Sequence, residues 1–112
     1  MKILLTGLIL SILSTSSYAD LVSYYGRGFH GKKTASGEVF NQNAMTAASN
    51  SHKMGTKLKV TNVATGKSVI VKINDTGAFT RKYGRTLDLS QSAFARIAPL
   101  SQGICKVKIE RL

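Results

Sequence analysis

Residues 69–94 read VIVKINDTGAFTRKYGRTLDLSQSAF, and the fold turns on how this stretch is read. Val69, Val71 and Ile73 alternate with polar or exposed-type positions, the period of a half-buried strand, so Asp75 falls where that strand opens into a glycine-containing turn. At the far end, Leu87-Asp88-Leu89 is a second short strand, and Ser90 is placed to cap a helix whose apolar Ala93, Phe94 and Ile97 share one face. The loop between the two strands is therefore bounded by two carboxylates, in a chain that has only five acids. Two readings follow. Asp75 and Asp88 do acid chemistry, or Asp75 makes an Asx-turn with the Thr76 and Gly77 amides while Asp88 pairs with Arg85.

Working outward, residues 57–63 alternate lysine or threonine with Leu58, Val60 and Val63, and Ala64-Thr65-Gly66-Lys67 turns that strand into the one ending at Asp75. Thr46-Ala47-Ala48 is a short strand, and residues 21–29 (LVSYYGRGF) are a strand running into a loop. The helix spans about Gln91 to Ile97 and stops near Pro99, and the last strand runs from Ile104 to Ile109. Cys105 is the single cysteine, in phase with Val107 and Ile109, which marks a small core side chain and excludes an intrachain disulfide. Five or six short strands with one short helix fit best in a small closed barrel, which leaves few strand edges open.

The beginning of the chain has the form of a secretory signal, with Lys2, an apolar run from Ile3 to Leu13, and small residues ending in Ser17-Tyr18-Ala19. The expected division is a signal over residues 1–19 and one domain over 20–112, exported to the periplasm or cell wall. That apolar run is short for a membrane span, so no transmembrane anchor is expected after cleavage. The formal net charge of +11 favours polyanionic surroundings: cell-wall polymers, lipid headgroups or nucleic acid. No nucleic-acid partner is expected, because no recognition helix or strand of exposed aromatics accompanies the charge.

Three aromatics near the start, Tyr24, Tyr25 and Phe29, read either as a sugar-stacking platform or as cover for one end of the core. Glu38 lies between Gly37 and the apolar pair Val39 and Phe40, a setting expected to desolvate its carboxylate and raise its pKa. His52 sits in a Ser/Asn-rich turn and reads locally as a surface residue. Nothing nearby completes a metal site, and no cofactor is expected.

Tyr24-Tyr25-Gly26, Phe29-His30-Gly31, Thr34-Ala35-Ser36-Gly37-Glu38, Thr46-Ala47-Ala48, Gly55-Thr56, Val60-Thr61-Asn62, Ile73-Asn74-Asp75 and Leu87-Asp88-Leu89-Ser90 resemble, in order and nearly in spacing, the rare lipoprotein A family. The resemblance implies a six-stranded double-psi β-barrel with one short helix, acting as a monomer on peptidoglycan glycan strands. The implied activity is that of an endolytic lytic transglycosylase, which cleaves the β-1,4 bond from N-acetylmuramic acid to N-acetylglucosamine and leaves a 1,6-anhydro end. Asp75 is the first choice for the acid/base and Glu38 the second, with Asp88 an alternative acid or the group that sets its partner's pKa. Tyr24, Tyr25, Phe29, His30, Ser49, His52, Asn74 and Arg85 are the implied substrate contacts. Two departures stand out: Ser49 occupies the place of the family's usual histidine, and Asp75-Thr76-Gly77-Ala78 replaces its usual Asp-Arg-Gly-Pro. The alternative is an expansin-like module that grips glycan without cutting it, and a third reading is a cationic protein that binds polyanions by charge alone.

Overall fold

A computed structural model describes residues 20–25, 28–77 and 86–112. The expected signal, residues 1–19, and the loop carrying Arg81, Lys82, Tyr83 and Arg85 lie outside the described residues. The strands are β1 (Asp20–Tyr24), β2 (Thr46–Ala48), β3 (Lys57–Asn62), β4 (Ser68–Asp75), β5 (Leu87–Leu89) and β6 (Cys105–Arg111). They close into a barrel in the order β1-β5-β2-β4-β3-β6, so each strand is paired on both sides. This is the expected six-stranded double-psi barrel. Its parallel pairs, β1 with β5 and β2 with β4, need long crossovers, and those crossovers carry the loops that build the site.

Alternation decides which side chains fill the barrel. Leu58 and Val60 of β3, Val69, Val71 and Ile73 of β4, Leu87 and Leu89 of β5, and Cys105 and Val107 of β6 all point into one core. The helix α1 (Gln91–Ala95) adds Phe94 to it, with Ile97 just beyond. Ser90 caps α1 as expected, its hydroxyl accepting from the Ala93 amide at 3.2 Å. α1 ends two residues earlier than the sequence pattern suggests, because Arg96 and Ile97 already bond to carbonyls three residues back, the tighter winding common at helix ends. Cys105 is buried in this core, and burial pushes its thiol pKa up.

Candidate functional site

Asp75 continues the inward phase of Val69, Val71 and Ile73, but it comes at the last position of β4, where the barrel opens. Its side chain therefore stands at the mouth and not in the core. β2 pairs with it through Ala48, after an irregularity between Ala47 and Ala48, and the Ser49 amide donates to the Asp75 carbonyl at 2.9 Å. Among the described residues the carboxylate accepts three hydrogen bonds. Oδ1 takes the Ala35 amide at 2.8 Å and the Thr76 amide at 2.9 Å, and Oδ2 takes the Tyr25 hydroxyl at 2.6 Å. Half of the expected Asx-turn is present in the Thr76 contact. Gly77 bonds elsewhere: its amide donates to Asn50 Oδ1 at 3.1 Å, and its carbonyl accepts from Asn50 Nδ2.

Tyr25 follows β1 and is 4% exposed. Its ring stacks on Phe40, with centroids 4.2 Å apart, and meets Phe29 edge-on at 5.7 Å. Burial first, then the bond to Asp75 and the negative charges of Asp75 and Asp88, push the phenol far above its ordinary pKa, so the hydroxyl keeps its proton and donates. Phe29 is 49% exposed, with Lys32 Nζ 5.9 Å from its ring centroid. Tyr24 does not join this group. Neighbours in a strand face opposite ways, and Tyr24 packs its ring 4.9 Å from Phe94 and donates to the Leu100 carbonyl at 2.9 Å.

Residues 33–39 form a tight loop closed by a Lys33–Val39 bridge and by the Thr34 amide on the Glu38 carbonyl at 2.8 Å. Gly37 turns it at φ 92°, a left-handed conformation that glycine takes without strain. The Ser36 amide donates to the Asn74 carbonyl, which docks the loop on the end of β4 and delivers the Ala35 amide to Asp75. Glu38 differs from expectation. Val39 points outward and Phe40 turns inward to Tyr25, so neither covers the carboxylate, whose side chain is 48% exposed. Asn74 Nδ2 donates to Oε1 at 3.1 Å and Lys72 Nζ to Oε2 at 3.2 Å, and together they hold its pKa below the ordinary value instead of raising it. Asn74 is itself buried, and its Oδ1 has no hydrogen-bond partner among the described residues.

Asp88 is buried at the centre of β5, opposite Ser23 of β1 and Ala48 of β2, and accepts from the Ser23 hydroxyl at 2.7 Å. Its charge adds the smallest part of the upward push on the Tyr25 phenol pKa. The expected partner Arg85 lies outside the described residues. Ser49 is buried, and its hydroxyl accepts from the Ser51 and His52 amides, both at 3.1 Å, so it caps its own turn. That turn holds His52 beside Ser49 by its backbone. His30 Nδ1 accepts from the Gln42 amide at 3.2 Å, which ties it to its own loop. Among the described residues no cluster of His, Cys, Asp or Glu is arranged to hold a metal ion, and no helix is long and apolar enough to cross a membrane.

Asn50, the Ala35 amide and Ser23 were not singled out from the sequence. Only Asn50 carries a local cue, as a turn-forming residue beside Ser49.

The family model described as lytic transglycolase matches residues 17–109. The chain is 50% identical over 90 residues to the probable endolytic peptidoglycan transglycosylase RlpA of Synechocystis, covering 80% of this chain and 27% of that protein. It is 43% identical over 101 residues to the endolytic peptidoglycan transglycosylase RlpA of Campylobacter jejuni, covering 89% and 36%. With the protein of that name from Rickettsia felis the figures are 48% over 104 residues, covering 88% and 45%. The chain thus spans less than half the length of each of these relatives. Among solved structures, the Streptomyces papain inhibitor superposes with a TM-score of 0.65 at 23% identity, covering 84% of this chain and 92% of that one. A Clavibacter michiganensis expansin mutant in complex with cellohexaose gives 0.62 at 21%, covering 84% and 49%. At such identities the likeness is one of fold alone.

Proposed function

The chain belongs to the lytic transglycolase family, and from that premise we propose that it cleaves peptidoglycan glycan strands endolytically, with Asp75 as the acid/base. The observation that carries the reading is the way Asp75 is held. A carboxylate offers about four lone-pair sites. Two on Oδ1 face backbone amides, which can only donate, and one on Oδ2 faces the Tyr25 hydroxyl, which can donate or accept. Among the described residues one site on Oδ2 remains without a partner. A proton on Asp75 therefore belongs on Oδ2, at the mouth of the barrel.

The reaction needs one such group. Protonated Asp75 gives its proton to the glycosidic oxygen as the bond from C1 of N-acetylmuramic acid breaks, and N-acetylglucosamine leaves with a free 4-hydroxyl. The carboxylate then takes the proton of the muramyl C6 hydroxyl as O6 bonds to C1, which closes the 1,6-anhydro ring and restores Asp75. No water is consumed, so the second carboxylate of an ordinary glycosidase is not required. Glu38, held ionised by Asn74 and Lys72, serves as a fixed negative charge near the positive anomeric centre and not as the donor. Exposed Phe29, edge-on to a Tyr25 that is itself stacked on Phe40, supplies the sugar-stacking face. His30, Ser49, His52 and Asn74 line or brace that pole, Arg85 is a further contact from the loop, and Tyr24 is structural. The protein works as an exported monomer, in the periplasm or cell wall, after cleavage following Ala19.

One observation favours a second reading, in which the barrel grips glycan without cutting it. The hydroxyl of Ser49, at the place of the family's histidine, is engaged by turn amides and offers no proton-transfer group. Mass spectrometry of peptidoglycan incubated with the protein separates the two. Anhydro-muropeptides from wild type and none from Asp75→Asn support cleavage, whereas glycan retention with no release from wild type supports the second reading.

A further inference from the structure

The outer wall of the barrel opposite the core residues of β3, β4 and β6 is strongly one-signed. Lys57 and Lys59 of β3, Lys72 of β4, and Lys106 and Lys108 of β6 all face outward, with Glu110 as the one acid among them. Register puts them side by side. Lys57 stands across from Lys72, Lys59 across from Ile70 on one flank and Glu110 on the other, and Lys108 across from Thr61. Among the described residues the one ion pair is Lys72 with Glu38, and Glu110 stands across from Lys59, so Lys57, Lys106 and Lys108 are the wall lysines with no acid opposite them in the register. Like charges directly across a strand pair are unfavourable, as for Lys57 and Lys72, whereas Lys59 across from Glu110 is a favourable pairing. The lysines do not guard an open sheet edge, because the closed barrel has none here.

Two features say what such a wall fits. All five cations are lysines, compact point charges on long aliphatic stems, and none is an arginine fork that would read a carboxylate or phosphate in a fixed geometry. Exposed aliphatic side chains accompany them, Ile70 at 52% across from Lys59 and, on the flanking strand β1, Leu21 at 38% across from Lys106. A dissolved polyanion has no use for these. Diffuse positive charge with scattered aliphatic groups matches a lipid surface, where headgroup phosphates meet the lysines and the aliphatic tips reach the acyl boundary.

We propose that the β4–β3–β6 wall docks the barrel on an anionic phospholipid surface. Docking in this way keeps Glu38 and the mouth of the barrel at the rim of the contact, since Lys72 both belongs to the wall and holds Glu38.

The test is co-sedimentation of the purified protein beginning at Asp20 with vesicles of phosphatidylglycerol and phosphatidylcholine, against phosphatidylcholine alone. Each basic residue near such a surface contributes about fivefold to partitioning, so Lys59→Gln/Lys108→Gln should weaken binding by about 25-fold. Lys53→Gln/Arg96→Gln removes the same charge from elsewhere and should change it by less than about threefold, the residual long-range effect. Circular dichroism confirms that both variants are folded. Equal losses in the two variants, or no loss in either, overturn the proposal. So does a wall variant that keeps its vesicle binding but loses binding to soluble polyphosphate, which would assign the wall to a dissolved polymer.

Discussion

Tyr25→Phe removes one oxygen atom and leaves the ring, so the stack on Phe40 at 4.2 Å and the edge contact with Phe29 survive. What disappears is the 2.6 Å hydroxyl bond to Asp75 Oδ2, short and charge-assisted, of a kind worth about 1.5 to 3 kcal/mol. Asp75 lies at the mouth and is only partly buried, so water replaces part of that bond, and folding stability should fall by about 1 to 2 kcal/mol. Catalysis should suffer more. With Oδ1 pinned by two amides, Tyr25 is what fixes the direction of Oδ2, and a carboxylate free to pivot loses its aim at the glycosidic oxygen. At about 1.4 kcal/mol per factor of ten, the bond corresponds to a loss of about 10- to 10²-fold in kcat. KM should stay within about twofold, since the stacking face is intact. The assay is the initial rate of anhydro-muropeptide release against strand concentration, with a thermal melt to confirm folding. In an Asp75→Asn background the same change should add less than about a factor of two, because the two groups act as a unit. Wild-type kcat in a folded Tyr25→Phe protein, or a loss carried wholly by KM, would refute the assignment of Oδ2.

Asp75→Asn keeps the shape of the side chain but cannot carry the proton, so release should drop by about 10² to 10⁴ while glycan pull-down persists. Glu38→Gln keeps its size and loses a charge already held ionised, and should lower kcat by about tenfold at most; a drop matching that of Asp75→Asn would make Glu38 the donor. Tyr25 and Cys105 both have folded pKa values raised above their ordinary 10.0 and 9.0, so their contribution is intact below those pH values and is lost above them, where the unfolded chain ionises first. The unfolding free energy from urea titrations should fall above about pH 10 by up to about 1.4 kcal/mol per pH unit, as Tyr25 ionises only in the unfolded chain, with Cys105 adding a fall that begins near pH 9, and Tyr25→Phe should flatten the part above about pH 10. Cys105→Ala should cost about 1 to 2 kcal/mol for lost core volume and leave activity unchanged, as melts and release assays would show.

What could be read from the sequence was whatever a short window encodes. The alternation through Val69, Val71 and Ile73 gave β4 and put Asp75 at its end, and Ser90 marked the start of α1, because strand phase and helix capping are set within a few residues. The same alternation, applied to Tyr24 and Tyr25, separates them onto opposite faces; treating them as one platform overlooked a signal that was present. The charge state of Glu38 was not legible. Its chain neighbours suggest desolvation, but Asn74 and Lys72, 36 and 34 residues away in sequence, decide the outcome. The partners of Asp75 were equally hidden, with Tyr25 at a separation of 50 residues and Ala35 at 40.

Those separations follow from the parallel pairings. An antiparallel meander would surround Asp75 with residues close in sequence, whereas β1 and β2 reach this pole only after crossovers that carry the chain over the barrel, one of them bearing the 33–39 loop. The pole is thereby tied down from several directions: the loop gives Ala35 to Oδ1, the end of β1 gives Tyr25 to Oδ2, and the turn after β2 holds the Asp75 and Gly77 backbone through Ser49 and Asn50. These ties are neutral amides and hydroxyls, so salt and pH near neutrality leave them in place. With Ser49 capping its own turn and the Thr76 amide donating to Oδ1, the contacts that hold the Asp75 carboxylate among the described residues come from amides and a phenol, with no charged side chain bonded to it.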